Sequence, residues 1–203
     1  MRPAELIERR RFDFRVLSDM RGPMFDFGAY RGRGDLEAER NEIIGVDEGG
    51  WASKYVMRLR IPTLVGPGTF RDETVFGVDL DRADYPLAEP VTWLISEPIP
   101  WSPHFQRSSP ICIGSEFWLA RKGHVTLGEL IIHVAMMLNW DEKGRGPGYA
   151  GWNDEAIKYH ADHYHGRALN PDMVYPALPG WLYGDTPDPG PDFEIVDRRS
   201  IEW

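Results

Sequence analysis

Residues 125–140, VTLGELIIHVAMMLNW, constrain the fold more than any other part of this 203-residue chain. Their apolar side chains recur at helical spacing, and Thr126 and Glu129 form a T-x-x-E capping box that predicts where the helix begins. A helix with so wide an apolar face is stable only when another layer covers that face. The sequence therefore predicts a central helix, and the rest of the chain must supply the layer it packs on.

Strand-like runs before this helix can supply that layer. They are rich in β-branched and aromatic residues and are separated by turn residues, with GPGTFRD between the first two. The runs span residues 54–65, 73–81 and 90–96. We expect an α+β fold in which an N-terminal helix over residues 3–20 precedes a four-stranded antiparallel meander, with the central helix packed on the sheet. Residues 21–50 show only weak periodicity and close in a glycine-rich loop.

The end of the chain changes character after one more helix. NDEAIKYHADHYH predicts a helix with Asn153 or Asp154 as its N-cap. From residue 170 onward, prolines at positions 171, 176, 179, 187, 189 and 191 exclude long helices. We expect a domain over residues 1–169, followed by a proline-rich tail over residues 170–203 that packs on the domain or on a partner.

Composition excludes several classes of protein. The net charge of −9 argues against a nucleic-acid partner and against an anionic membrane surface, because both require a surplus of Lys and Arg. The single cysteine permits no internal disulfide, which favours a reducing compartment. The N-terminal residues lack a signal-peptide core, and the longest apolar run is too short for a membrane span. We therefore expect a cytoplasmic protein.

The cysteine, Cys112, follows an unusual segment. Residues 96–110 contain four prolines in fifteen residues, so they form an irregular loop rather than a central strand. A lone cysteine is usually a small buried hydrophobe. Its surroundings, however, repeat a set of short motifs at fixed distances. These are YPLAEP at 85–90, the strand at 91–96, Ser102-Pro103-His104, Ile111, Trp118, Thr126-Leu127, and the pair Ala156 and Tyr159.

This order of motifs resembles the ubiquitin-conjugating enzymes. In that family a YPxxPP turn leads through a strand to a His-Pro-Asn loop, and the active-site cysteine comes eight residues after the asparagine. His104 stands eight residues before Cys112, in the place of that asparagine, and Glu89 replaces a proline. The resemblance covers about residues 50–165 and implies a UBC-like fold. The departures and the proline-rich tail look more like divergent bacterial members, which are often encoded in phage-defence gene clusters.

The resemblance implies a reaction and partners. An activating enzyme would deliver a ubiquitin-like modifier as a thioester on Cys112, and the modifier would then pass to an amine of a target protein. A thiol suits both steps, because thiolate is a strong nucleophile and a good leaving group. No cofactor or metal is expected in the chain itself.

Several other residues are candidates for this site. His104 could donate to the oxyanion or only close a turn. Asp154 and Tyr149 are candidates for the group that helps to deprotonate the attacking amine. Asn153 and Asp154 could equally act only as helix caps. Trp152 either packs or contacts substrate.

Partner docking is a further expectation. Arg9, Arg10 and Arg11 make the first helix basic, which suits an acidic patch on the activating enzyme or is merely a solvated face. Trp118 matches a family anchor and is assigned with Trp152 and Asn153 to substrate or partner contacts.

Two other functions remain open at this stage. The chain could be a binding module that keeps the fold and transfers nothing, as the missing asparagine favours. It could instead be a cysteine hydrolase with His124 or His133 as base, although SPICIGS offers no convincing oxyanion site.

Overall fold

The computed structural model describes residues 3–30, 52–81, 85–107, 109–114, 117–118, 121, 123–145 and 152–184. Its helices are α1 (Pro3–Asp19), α2 (Leu127–Leu138), α3 (Glu142–Arg145) and α4 (Asp154–Tyr164), with a short 3₁₀ helix at Gly180–Tyr183. Its strands are β1 (Phe25–Tyr30), β2 (Lys54–Leu59), β3 (Thr63–Gly66), β4 (Thr69–Arg71), β5 (Thr74–Asp79) and β6 (Val91–Leu94). Within this part of the chain, no helix is long and apolar enough to span a bilayer.

The predicted α+β architecture is confirmed. Four strands form one antiparallel sheet in the order β1-β2-β5-β6, and β3 and β4 form a separate hairpin inserted between β2 and β5. Residues 54–65 are therefore two strands rather than the single run predicted from their composition. The break falls at Pro62, which has no N–H to continue the ladder.

The strand β1 lies in the stretch where the sequence showed only weak periodicity. Phe25, Phe27 and Ala29 are buried and alternate with Asp26, so the period-two pattern is present over six residues. Arginines and glycines before and after the strand hide this alternation in the sequence. Asp26 also forms an ion pair with Arg21 just before the strand.

The central helix α2 begins where the capping box predicted. Thr126 Oγ1 accepts the Glu129 N–H at 3.1 Å, and the Glu129 carboxylate accepts the Thr126 N–H at 2.8 Å. The apolar residues of α2 share one buried cluster with the inward side chains of β2 and β5. At Gly128 a β-carbon would lie 2.6 Å from Val16 Cγ1, so glycine is what lets α1 and α2 pack this closely.

A buried polar network joins α1 to the start of α2. Asp13 is fully buried and accepts hydrogen bonds from Arg9 Nε at 2.7 Å, from the Tyr85 hydroxyl, and from the Leu127 N–H at 3.0 Å. Burial raises the pKa of the Asp13 carboxyl, while these three donors act in the opposite direction. The network fixes the chain before α2, because Arg9 also donates to the carbonyls of Gly123 and Val125.

The first part of the C-terminal tail crosses the two long helices. Trp181 donates from Nε1 to Asp19 at 2.7 Å, and the Arg15 guanidinium lies 4.2 Å from the centre of its ring. Leu178 reaches the position where Gly128 lacks a side chain. Residues 185–203 of the predicted tail lie outside the described residues. The domain boundary at residue 170 stays a prediction.

Candidate functional site

Cys112 lies in an extended segment that runs back along β6. The Ile111 N–H donates to the Thr92 carbonyl at 2.9 Å, and Pro110 forms a bridge with Trp93. Side chains alternate in an extended chain, and here Ile111 and Ile113 are 4% and 3% exposed. Cys112, between them, is half-buried with a free thiol. Two inward isoleucines thus turn the sulfur away from the core.

His104 is bound directly to the cysteine segment. Its carbonyl accepts the Cys112 N–H at 3.1 Å, so the eight-residue spacing in the sequence closes a hydrogen-bonded loop. The side chain of His104 is 8% exposed, and Ser102 and Pro103 beside it are also buried. The contact that ties the loop to Cys112 therefore uses the main chain of His104, not its imidazole.

The segment before α4 borders the same loop. The Trp152 N–H donates to the Pro103 carbonyl at 2.9 Å, while the Trp152 side chain is 51% exposed. Asn153 is the N-cap of α4, since its Oδ1 accepts the Ala156 N–H at 3.0 Å. Asp154 follows as an exposed acid in the first turn. Tyr149, the other predicted candidate, lies outside the described residues.

A groove lies on the outer side of β6, next to the cysteine segment. We call it the edge groove; it has a volume of about 290 Å³. Its wall includes Trp93, Ile99 and Pro110, with Glu97 and Arg107 among its charged residues. Pro110 is two residues before Cys112, so the groove reaches the segment that carries the cysteine. The groove therefore offers a mixed apolar and polar surface that borders the cysteine segment at Pro110.

His133 also lies at this site. From the sequence it was a candidate only as the base of a cysteine hydrolase. It lies on α2, and its Nε2 is 2.8 Å from the carbonyl oxygen of Ile113, the residue after Cys112. The one available signal was that His133, like Glu129, is a titratable residue that interrupts the apolar run of α2. His124, the other residue in that alternative, is exposed.

The predicted docking arginines have different surroundings. Arg9 is committed to Asp13 and to backbone carbonyls, and Arg10 forms an ion pair with Asp81 at 2.7 Å. Arg11 is exposed. Arg9, bound inside the fold, cannot offer its charge freely to a partner, whereas the Arg10–Asp81 pair is exposed, so Arg10 and Arg11 remain the candidates for docking.

Trp118 is also placed differently from the expectation. It is fully buried, and its Nε1 donates to the Pro86 carbonyl at 3.2 Å. A partner cannot reach this ring, so its assignment to partner contacts is corrected: Trp118 anchors the YPLAEP turn. Elsewhere among the described residues, no group of three or more His, Cys, Asp and Glu is arranged to hold a metal ion.

Comparison with known proteins finds similarity among solved structures. No family model matches the sequence, and no curated protein matches it. Among solved structures, the chain is similar to human ubiquitin-conjugating enzyme E2 G1, with 17% identity and a TM-score of 0.45 over 68% of this chain and 97% of that one. A similarity this distant carries no information about activity.

Proposed function

We propose that this protein is a conjugating enzyme of the ubiquitin type, of the divergent bacterial kind, that carries a ubiquitin-like modifier as a thioester on Cys112. The observation that carries the proposal is the setting of Cys112. Its thiol is turned outward between two buried isoleucines, and its N–H is held by the carbonyl of His104. A structural cysteine requires neither feature.

The edge groove supports the same reaction. A modifier must bring an extended C-terminal tail to the sulfur, and a groove that offers both apolar and polar side chains suits an extended peptide. The groove is lined by residues of β6 and by Pro110, which lies two residues before Cys112. We therefore propose that the modifier's tail lies in the edge groove.

The proposed reaction has two balanced steps. In the first, the Cys112 thiolate attacks the carbonyl carbon of the thioester on the activating enzyme, and that enzyme's thiolate leaves. In the second, a deprotonated amine of the target attacks the new thioester, and the Cys112 thiolate leaves. A thiol serves as both nucleophile and leaving group without an adjacent base.

The second step forms an oxyanion, and we propose that the His104 imidazole stabilises it. One well-placed donor is worth about 3 kcal/mol in such a transition state. Asp154, exposed at the start of α4, is our candidate for receiving the amine's proton, with Tyr149 as the alternative. We propose that Trp152 and Asn153, beside the His104 loop, contact the incoming target.

The test of this function is formation of a thioester. The protein is mixed with ATP and with the activating enzyme and ubiquitin-like protein of the same organism, and adducts are separated with and without DTT. We expect an adduct that DTT removes. Cys112→Ser should give an ester that resists DTT, and Cys112→Ala should give no adduct. A non-covalent complex without adduct would instead establish a binding module, and modifier cleaved by a Cys112-dependent reaction would establish a hydrolase.

His104 can be tested separately because the bond that braces the loop uses its main chain. His104→Ala keeps the carbonyl that accepts the Cys112 N–H. We expect normal loading and a discharge to lysine that is roughly a hundredfold slower. Lost loading in a folded variant would show that the imidazole has another role.

A further inference from the structure

His133 reaches from the central helix to the chain that carries Cys112. Its Nε2 lies 2.8 Å from the Ile113 carbonyl oxygen. A carbonyl oxygen can only accept a hydrogen bond, so Nε2 must carry the proton. This bond holds the peptide between Ile113 and Gly114, the second peptide after Cys112, while the peptide N–H of Cys112 itself is held by the His104 carbonyl. The cysteine is thus held on both sides by contacts to histidines.

The ring of His133 is held in this orientation by packing. It stacks on Phe117 with 4.0 Å between ring centres and 4° between their planes. The ring is also partly buried against the core. A side chain confined by a stacked ring and a hydrogen bond has few other rotamers, which is what a positioning group requires.

The electrostatic surroundings keep His133 neutral near pH 7. Burial lowers the pKa of its imidazole below the ordinary value of 6.5, the hydrogen bond to Ile113 opposes this, and charge on His104 lowers it further. In the described part of the chain, His104 is the titratable group that influences His133 in this way. A proton on one imidazole therefore disfavours a proton on the other.

We infer that His133 is a positioning residue for Cys112, holding the chain after the cysteine through its Nε2–H bond to the Ile113 carbonyl. The consequence for transfer rests on the proposed function; the consequence for the thiol itself does not. Without the bond, the segment that presents the sulfur loses a polar contact with α2, and local opening becomes easier.

Three substitutions separate the effect of the hydrogen bond from the effect of ring stacking. His133→Phe keeps a ring that can stack on Phe117 but removes the donor. His133→Gln keeps an N–H donor at about the reach of Nε2. His163→Phe is the matched control, because His163 also stacks on a ring, that of Tyr159 at 4.0 Å, and also bonds a carbonyl, within its own helix.

The first measurement is alkylation of the thiol by iodoacetamide in the full chain, which has one cysteine and so reports on Cys112 alone. We expect His133→Phe to react roughly fivefold faster than the wild type, because the half-buried thiol opens more often. His133→Gln and His163→Phe should react at the wild-type rate. A folded His133→Phe protein with an unchanged rate, or a His133→Gln protein as fast as His133→Phe, would overturn the inference.

The second measurement follows the thioester. His133→Phe should load normally and discharge to lysine about tenfold more slowly, since small displacements at a reacting centre are costly, and His133→Gln should restore the rate. Equal discharge by all variants would contradict the role in transfer. If the wild type forms no thioester at all, the proposed function fails, and the alkylation rates still decide whether His133 positions Cys112.

Discussion

Replacement of Asp13 by alanine gives the sharpest test of how this fold is held together. Asp13 is a fully buried carboxylate that accepts hydrogen bonds from Arg9, from the Tyr85 hydroxyl and from the Leu127 N–H. These donors come from α1, from the YPLAEP turn and from the start of α2. No other described carboxylate is fully buried and joins these three parts of the chain.

The expected cost follows from what the substitution leaves behind. Asp13→Ala leaves the Arg9 charge, with 15% side-chain exposure, without its carboxylate, and leaves the buried Tyr85 hydroxyl and an N–H without their acceptor. Removing one partner of a buried pair costs about 3–5 kcal/mol. For a chain of this size, the melting temperature should fall by roughly 10 °C. Asp13→Asn keeps an oxygen for Leu127 and should cost about 2 kcal/mol.

The assay is urea unfolding, with a control that the chain itself supplies. Lys158 and Asp162 form another pair four residues apart on a helix, but their side chains are 81% and 57% exposed. Asp162→Ala should therefore change the free energy of unfolding by less than about 1 kcal/mol. If Asp13→Ala costs no more than this control, burial of the network is not what stabilises the contact between α1 and α2.

Three further perturbations test separate parts of the structure. Gly77→Ala places a β-carbon 2.2 Å from the Trp93 indole and should cost about 1–3 kcal/mol in urea unfolding, whereas Gly22→Ala, with nothing within 4 Å, should be nearly neutral. Trp181→Ala should cost about 2 kcal/mol and expose the tail to limited proteolysis; a protease-resistant variant would contradict the packing of the tail on α1. The folded pKa of His133 is lowered below 6.5, so the unfolded state binds more protons there and stability falls as the pH drops from about 7 through that folded value. In the His133→Phe variant, the melting temperature should fall less steeply as the pH drops than it does in the wild type. An unchanged slope would refute the lowered pKa of His133 as the cause.

Much of the fold could be predicted from local patterns. The capping box at Thr126 and Glu129 fixed the start of α2, and the Asn153 side chain fixed the start of α4. Both signals depend on residues three positions apart, so no tertiary contact is required to see them. The strand β1 was missed because its alternation spans six residues between stretches rich in glycine and charge.

The candidate site was only partly predictable. The distance of eight residues between His104 and Cys112 is a property of the sequence, and it corresponds to a main-chain hydrogen bond. The structural roles of Arg9 and Trp118 could not be predicted from the sequence. Each looks like an available surface group in the sequence, and each is directed inward by partners more than thirty residues away.

The sequence by itself determined the two-layer α+β architecture, the starts of α2 and α4 and the presence of a single thiol in a proline-bounded segment, because periodicity, caps and prolines act within a few residues. The tertiary structure alone decided which charged and aromatic side chains face inward and that His133 meets the chain beside Cys112. Those outcomes depend on contacts between residues twenty or more positions apart, which are formed only when the helices pack on the sheet.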